Sequence, residues 1–335
     1  MLQTRTKITD NHNRPIEYMR LAVTDRCNLR CFYCMPEEGI KYLPKKALLT
    51  YEEMERLVRI SADMGVSKIR ITGGEPFVRR NLIDFLGNIR KIDGIKKINI
   101  TTNGVLTKQY IPQLKDLGIK DINLSIDTLD RQRFFNITRR DELPKVMETL
   151  YAMLDEGFNV KINAVVMDGK NTEDIYQLVK FTEKHPVEVR FIEEMPFNGE
   201  GSHYPVLHWN FKKILEEIKL HFPSVTQLPA EHAATAVKYQ IPHFAGNVGI
   251  IAAFSRTFCG SCNRIRLTAQ GTLKTCLYDE GVLDLRKLMR DGANDDILHS
   301  ALLGAFKTRP KDGFEAEKSR NNLNKVSESM STIGG

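Results

Sequence analysis

Thr24-Asp25-Arg26-Cys27-Asn28-Leu29-Arg30-Cys31-Phe32-Tyr33-Cys34-Met35-Pro36 places three cysteines in a short loop, directly after a run, 18–24, that reads as a β-strand. Thiolates so close in sequence can wrap one compact inorganic core. The chain has six cysteines, and the other three, Cys259, Cys262 and Cys276, form a second group with none between. A secreted disulfide protein of this size would scatter its cysteines, whereas a reducing cytosol keeps them as thiols. Two clustered trios therefore read as metal sites. A four-iron cluster ordinarily takes four thiolates, so three leave one iron with an open position. Structural zinc also wants four ligands. Zinc survives as an alternative only with water completing the first trio, or with a histidine completing the second.

Outward from the first trio, short β-rich runs alternate with amphipathic helical stretches. The strand candidates are 18–24, 68–72, 97–101, 121–126, 160–166 and 187–192, rich in Ile and Val as strands covered by helices should be. Between them, Thr50 and Glu53 form a capping box and Gly65 closes that helix. Thr107 and Asn171 are expected to cap helices, Pro144 to lie in a first turn, and Gly157 to end its helix. Six strand–helix units in series imply a parallel sheet. A complete eight-stranded barrel takes about 250 residues, so six units in fewer imply an α/β fold built as an incomplete (β/α)6 barrel. A doubly wound sheet is the competing topology. The trio, following the first strand, lies at the end of the sheet where active sites of such folds collect.

The expected division is a barrel over 1–195, a smaller C-terminal cluster-binding domain over 196–320, and a mobile tail over 321–335 ending in Gly334-Gly335. Within the second part, short strands at 238–241 and 248–254 lead to the second trio. A hairpin is expected around Gly271, and helices at 283–290 and 295–306.

The 335 residues are 41% hydrophobic and 27% charged, ordinary for a globular protein and unlike a disordered one. No run approaches the roughly 18–20 apolar residues that span a bilayer. The opening 15 residues lack the apolar core of a secretory signal, so the expected location is the cytoplasm and no membrane is expected as partner. The net charge of +7 suits solubility or an anionic ligand. No lysine/arginine block of the kind that coats nucleic acid is present.

Two further patterns carry chemistry. Gly73-Gly74-Glu75-Pro76 follows the second strand; glycines let backbone approach a ligand, and Glu75 can hold the turn or a ligand's amine. After Cys262 the chain reads Asn263-Arg264-Ile265-Arg266. Arginines at i and i+2 of a strand share one face, and paired guanidinium forks suit an oligophosphate.

The first trio with its Tyr33, followed by the GGEP turn, resembles the signature of the radical S-adenosylmethionine superfamily. With the second trio, its arginines and the terminal Gly334-Gly335, the chain resembles the GTP 3′,8-cyclase family, also called molybdenum cofactor biosynthesis protein A. The resemblance implies two 4Fe-4S clusters, held by Cys27, Cys31 and Cys34 and by Cys259, Cys262 and Cys276. It implies S-adenosylmethionine bound by Tyr33, Gly74, Glu75, Ser125 and Met195. GTP contacts fall on Arg20, Arg70, Thr101, Lys161, Arg264, Ile265 and Arg266. Arg190, Gly334 and Gly335 match active-site positions. The implied reaction cleaves S-adenosylmethionine, removes hydrogen from C3′ of GTP and joins C3′ to C8. A reducing electron donor, a cyclic pyranopterin monophosphate synthase acting downstream and a homodimer belong to the same expectation. Two rival readings remain: a radical maturase acting on peptides, and a non-catalytic iron–sulfur or zinc protein.

Overall fold

The computed structural model describes residues 8–198, 206–320 and 328–335. Six parallel strands, β1 (Tyr18–Ala22), β2 (Lys68–Thr72), β3 (Lys97–Thr102), β4 (Asp121–Ser125), β5 (Asn159–Val166) and β6 (Glu188–Glu193), lie side by side in chain order. A doubly wound sheet would reverse its order at a switch point. None occurs among these strands, and the arrangement is the partial barrel.

Helices intervene: α1 (Tyr51–Asp63), α2 (Leu82–Arg90), α3 (Ile111–Asp116), α4 (Arg131–Thr138), α5 (Leu143–Asp155) and α6 (Asp174–Phe181). Thr50 and Glu53 form the capping box of α1, and Pro144 lies in the first turn of α5. Two expected caps are not made. The Thr107 hydroxyl is buried against that of Thr102, at 2.8 Å. The Asn171 amide instead donates to the carbonyls of Asp127 and Val165, pinning the loop after β5.

Beyond residue 195 come α7 (Phe211–His221), β7 (Thr226–Gln227), β8 (Ala236–Gln240), β9 (Asn247–Ile251), β10 (Arg264–Leu267), β11 (Thr272–Lys274) and β12 (Leu283–Asp284). Then follow α8 (Leu285–Arg290), α9 (Asp295–Lys307), α10 (Gly313–Lys318) and α11 (Met330–Ile333). These strands extend the barrel sheet at both edges. β9 runs parallel to β6 and β10 parallel to β1, giving one 12-stranded sheet. Of the expected mobile tail, 321–327 lie outside the described residues. Residues 328–335 are packed in place: the Ser329 hydroxyl donates to the Cys34 carbonyl at 2.6 Å, and the Thr72 hydroxyl donates to the Gly335 carbonyl at 2.8 Å.

Strand alternation divides the barrel into two environments. Met19, Leu21, Ile69, Ile71, Ile100, Ile122, Leu124, Ile162, Val189, Phe191 and Ile265 join the main apolar core. The intervening residues form the other face. Among the described residues no helix is long and apolar enough to cross a membrane.

Candidate active site

The second face of the sheet lines a cavity of about 440 Å³. Tyr18 and Arg20 come from β1, Lys68 and Arg70 from β2, Asn123 and Ser125 from β4, Lys161 and Asn163 from β5, Arg190 from β6, and Arg264 and Arg266 from β10. Parallel register aligns them in rows. Arg20 sits between Arg70 and Arg266, and Tyr18 between Lys68 and Arg264. Lys161 is paired with Asn123 and Arg190 with Asn163.

So many cations in one buried space repel each other. Burial, and then Arg20, Arg190 and Arg264, hold Arg70 down to about 10. Arg266 lies well below the usual arginine range because of burial and the neighbouring Arg20 and Arg264. Burial and Arg190 lower Lys161 to about 8. Burial opposes ionisation of the Tyr18 phenol, but Arg70, Arg20, Lys68 and Arg264 outweigh it and bring the group to about 8. Glu188 is the main internal counter-charge. It pairs closely with Arg190 and lies 3.8 Å from Lys161 and 3.4 Å from Lys238. The Nε atoms of Arg20 and Arg70 are buried without a hydrogen-bond partner. Buried cations with unused donors are costly unless an anion completes them.

All six cysteines are free thiols and all line this one cavity. Burial pushes Cys27 up to about 12, Cys34 and Cys276 to about 11, and Cys31 well above the ordinary thiol range. Cys262 differs. Burial is overcome by Arg264 and Arg309, and the group falls to about 6. Three sulfurs come from a loop and three from a loop plus hairpin, with no further cysteine in the chain. The three thiolates of the first loop are a donor set that suits an iron–sulfur cluster with one iron left open.

The GGEP turn lies against the first trio. Gly74 and Glu75 donate their backbone N–H groups to the carbonyls of Thr24 and Arg26 at 2.9 and 2.8 Å. A Cβ on Gly74 would come within 2.2 Å of the Arg26 carbonyl oxygen, so only glycine permits this approach. Glu75 is fully buried and accepts from Thr102 Oγ1 at 2.8 Å, and from the backbone N–H groups of Phe77 at 3.2 Å and Asn103 at 2.7 Å. It holds the turn and does not line the cavity. Tyr33 lines the cavity and donates to Asp127 at 2.9 Å. Thr101, Gly74, Ser125, Met195 and Gly335 also line it. Ile265 points into the apolar core, as its place between two inward arginines requires. Gly334, at φ +82°, sits against Thr72 and Ala22, where a Cβ would lie 2.8 Å from Thr72 Cγ2. Its carbonyl accepts from Arg266 at 2.5 Å.

A Radical SAM superfamily model matches residues 21–182, and a model described as Molybdenum Cofactor Synthesis C matches residues 187–315. The GTP 3′,8-cyclase of Alkaliphilus oremlandii is 39% identical over 329 residues, 97% of this chain and 99% of that protein. The chain belongs to the GTP 3′,8-cyclase family. Proteins named Molybdenum cofactor biosynthesis protein 1 from Bos taurus and Homo sapiens are 42% and 40% identical over 311 residues. The match takes in 91% of this chain, which spans about half, 48%, of the length of each. The crystal structure of Streptococcus suis SuiB shares the fold, with a TM-score of 0.61 at 16% identity over 89% of this chain and 68% of SuiB.

For a GTP 3′,8-cyclase family member, several cavity residues escape a reading of the sequence. Lys68, Asn123, Asn163 and Lys238 line the cavity, and Glu188 pairs with its cations. Polar residues at every second strand position are the available signal. Lys274, buried on β11 opposite Arg266 and paired with Glu328 at 2.7 Å, follows the same alternation, with the core residue Leu273 between it and Thr272.

Proposed function

We propose that the chain converts GTP and S-adenosylmethionine to 3′,8-cyclo-7,8-dihydro-GTP, 5′-deoxyadenosine and methionine, in molybdenum cofactor biosynthesis. The observation that carries this reading is the row Arg266–Arg20–Arg70, with Lys161 and Arg190 on later strands, in one cavity with two thiol trios.

Cys27, Cys31 and Cys34 would hold a cluster that, when bound and reduced in the presence of S-adenosylmethionine, would supply the radical chemistry able to remove hydrogen from a sugar carbon. The chain's own residues do the rest. Tyr33, Gly74, Ser125 and Met195 would hold the S-adenosylmethionine, with Glu75 fixing the turn that carries Gly74. Arg20, Arg70, Lys161, Arg264 and Arg266 would take the triphosphate, with Thr101 beside them and Ile265 setting the arginine spacing. Their mutual repulsion supports an oligophosphate, since a multivalent anion neutralises several of them at once. Arg190 together with Gly334 and Gly335 borders the reacting nucleotide. Cys259, Cys262 and Cys276 would hold a second 4Fe-4S cluster, which would supply a further binding position for the nucleotide base. Positioning two reactants and excluding water is the remaining contribution of the protein.

Free thiols support a reducing, cytoplasmic setting. The reading also calls for a low-potential electron donor and a cyclic pyranopterin monophosphate synthase to consume the product. A homodimer is compatible with it, and neither nucleic acid nor membrane is required. The test is anaerobic turnover of the reconstituted protein with GTP, S-adenosylmethionine and dithionite, followed by mass analysis. A cyclised nucleotide with one 5′-deoxyadenosine per turnover is expected. Cleavage of S-adenosylmethionine with GTP recovered intact would refute the assignment.

A further inference from the structure

Arg309 follows α9 and is 3% exposed. A guanidinium carries five N–H donors, and here each direction is occupied. Nε donates to the Thr275 carbonyl at 2.9 Å. Nη1 donates to the Cys262 carbonyl at 2.8 Å and to Asp10 Oδ2 at 3.2 Å. Nη2 donates to the Arg264 carbonyl at 2.8 Å and to the Cys262 sulfur itself at 3.1 Å. Asp10 is shared with Arg14, at 2.7 Å, and Arg14 donates to the Cys259 carbonyl at 3.1 Å. One buried Arg–Asp–Arg unit thus grips the loop of Cys259 and Cys262 and the residue before Cys276.

We infer that Arg309 is the positioning residue of the second trio and sets the reduction potential of the cluster held there. This rests on the two-cluster reading above. One-electron reduction adds one negative charge to a cluster without making or breaking a bond. A cationic N–H donor to a ligand sulfur stabilises that added charge and raises the potential. Because all five donors are engaged, the guanidinium cannot turn away from Cys262. Lysine, with three donors on a point charge, keeps the cation but not the fork.

The experiment is a dithionite redox titration, followed by electron paramagnetic resonance, on full-length protein carrying Cys27→Ala so that only the second trio is loaded. Neither substrate nor S-adenosylmethionine is added. Arg309→Gln should shift the reduction equilibrium toward the oxidised form by roughly tenfold, equivalent to about 59 mV for one electron. Arg309→Lys should recover part of that shift. A retained cluster with unchanged potential in Arg309→Gln overturns the inference. If Arg309→Gln does not fold, the parent protein labelled with 15N-arginine decides. A nitrogen coupling to the reduced cluster that is lost in Arg309→Lys supports the role, and a parent spectrum without nitrogen coupling overturns it. A parent protein that binds no iron at the second trio refutes the two-cluster reading itself, and the inference falls with it.

Discussion

Arg266 on β10, half-buried in the cavity wall, donates its guanidinium N–H to the carbonyl oxygen of Gly334, so one cation joins the row of cavity arginines to the tail seated beside it. The same guanidinium stands next to Arg20 in strand register. Its neighbours disfavour its charge until an anion arrives, which gives its removal opposite effects on affinity and on stability.

Arg266→Ala is therefore expected to weaken GTP binding about ten- to hundredfold, the range for one or two charge-assisted hydrogen bonds. The ligand-free protein should melt at a higher temperature, because Arg20 and Arg264 lose a like charge. Anaerobic calorimetry measures both. Unaltered GTP affinity would remove Arg266 from the triphosphate site.

Cys27→Ala should abolish formation of 5′-deoxyadenosine while the second trio keeps its iron. Iron and sulfide analysis, with chromatography of the nucleoside, checks this. Persistent cleavage of S-adenosylmethionine would show that Cys27 does not hold the reactive cluster.

Gly74→Ala forces a methyl group to within 2.2 Å of the Arg26 carbonyl. Overpacking of this kind costs about 1–3 kcal/mol, and here the strain falls on the loop of the first trio. The variant should lose the first cluster selectively, seen as roughly half the iron content, and should still bind GTP. Full iron loading would show that the two loops can separate without consequence.

Lys161 offers a test by pH. Its ammonium titrates at about 8 in the folded chain, against the ordinary lysine value of 10.5 that the unfolded chain restores. Between those values the unfolded chain binds the extra proton, so ligand-free stability should fall as pH drops from about 10.5 to 8 and rise in the opposite direction. A triphosphate beside Lys161 restores the ammonium, so GTP binding near pH 9 should take up protons. Calorimetry in buffers of different ionisation enthalpy measures that uptake. Lys161→Met should flatten the stability profile and reduce the uptake; an unchanged uptake would place the proton elsewhere.

The barrel strands are legible because each combines an apolar, helix-facing half with a second half of different chemistry, and a period of two survives in the sequence. The inward pair Arg264 and Arg266 follows from the same rule. Thr107 and Asn171 mislead because their side chains turn away from the helices they precede, Thr107 back to Thr102 and Asn171 to the carbonyls of Asp127 and Val165. Local patterns are silent about such destinations. The pairing of β10 with β1 joins segments from opposite ends of the chain, and the partner of a parallel strand is written in neither strand alone. Arg309 leaves no trace for the same reason, since its acceptors are backbone carbonyls, a distant carboxylate and one sulfur brought together by tertiary structure.

The two outer parallel pairings, β10 on β1 and β9 on β6, bear on how the chain is made. During synthesis the first six strands emerge with both rims bare, and each rim waits for a segment encoded much later. A ribosome stalled after Met195 would release a half-product with two sticky borders, prone to pair with its own copies. Completion of the cavity is thereby tied to completion of translation, because it acquires its second wall only when the last third of the polypeptide has arrived.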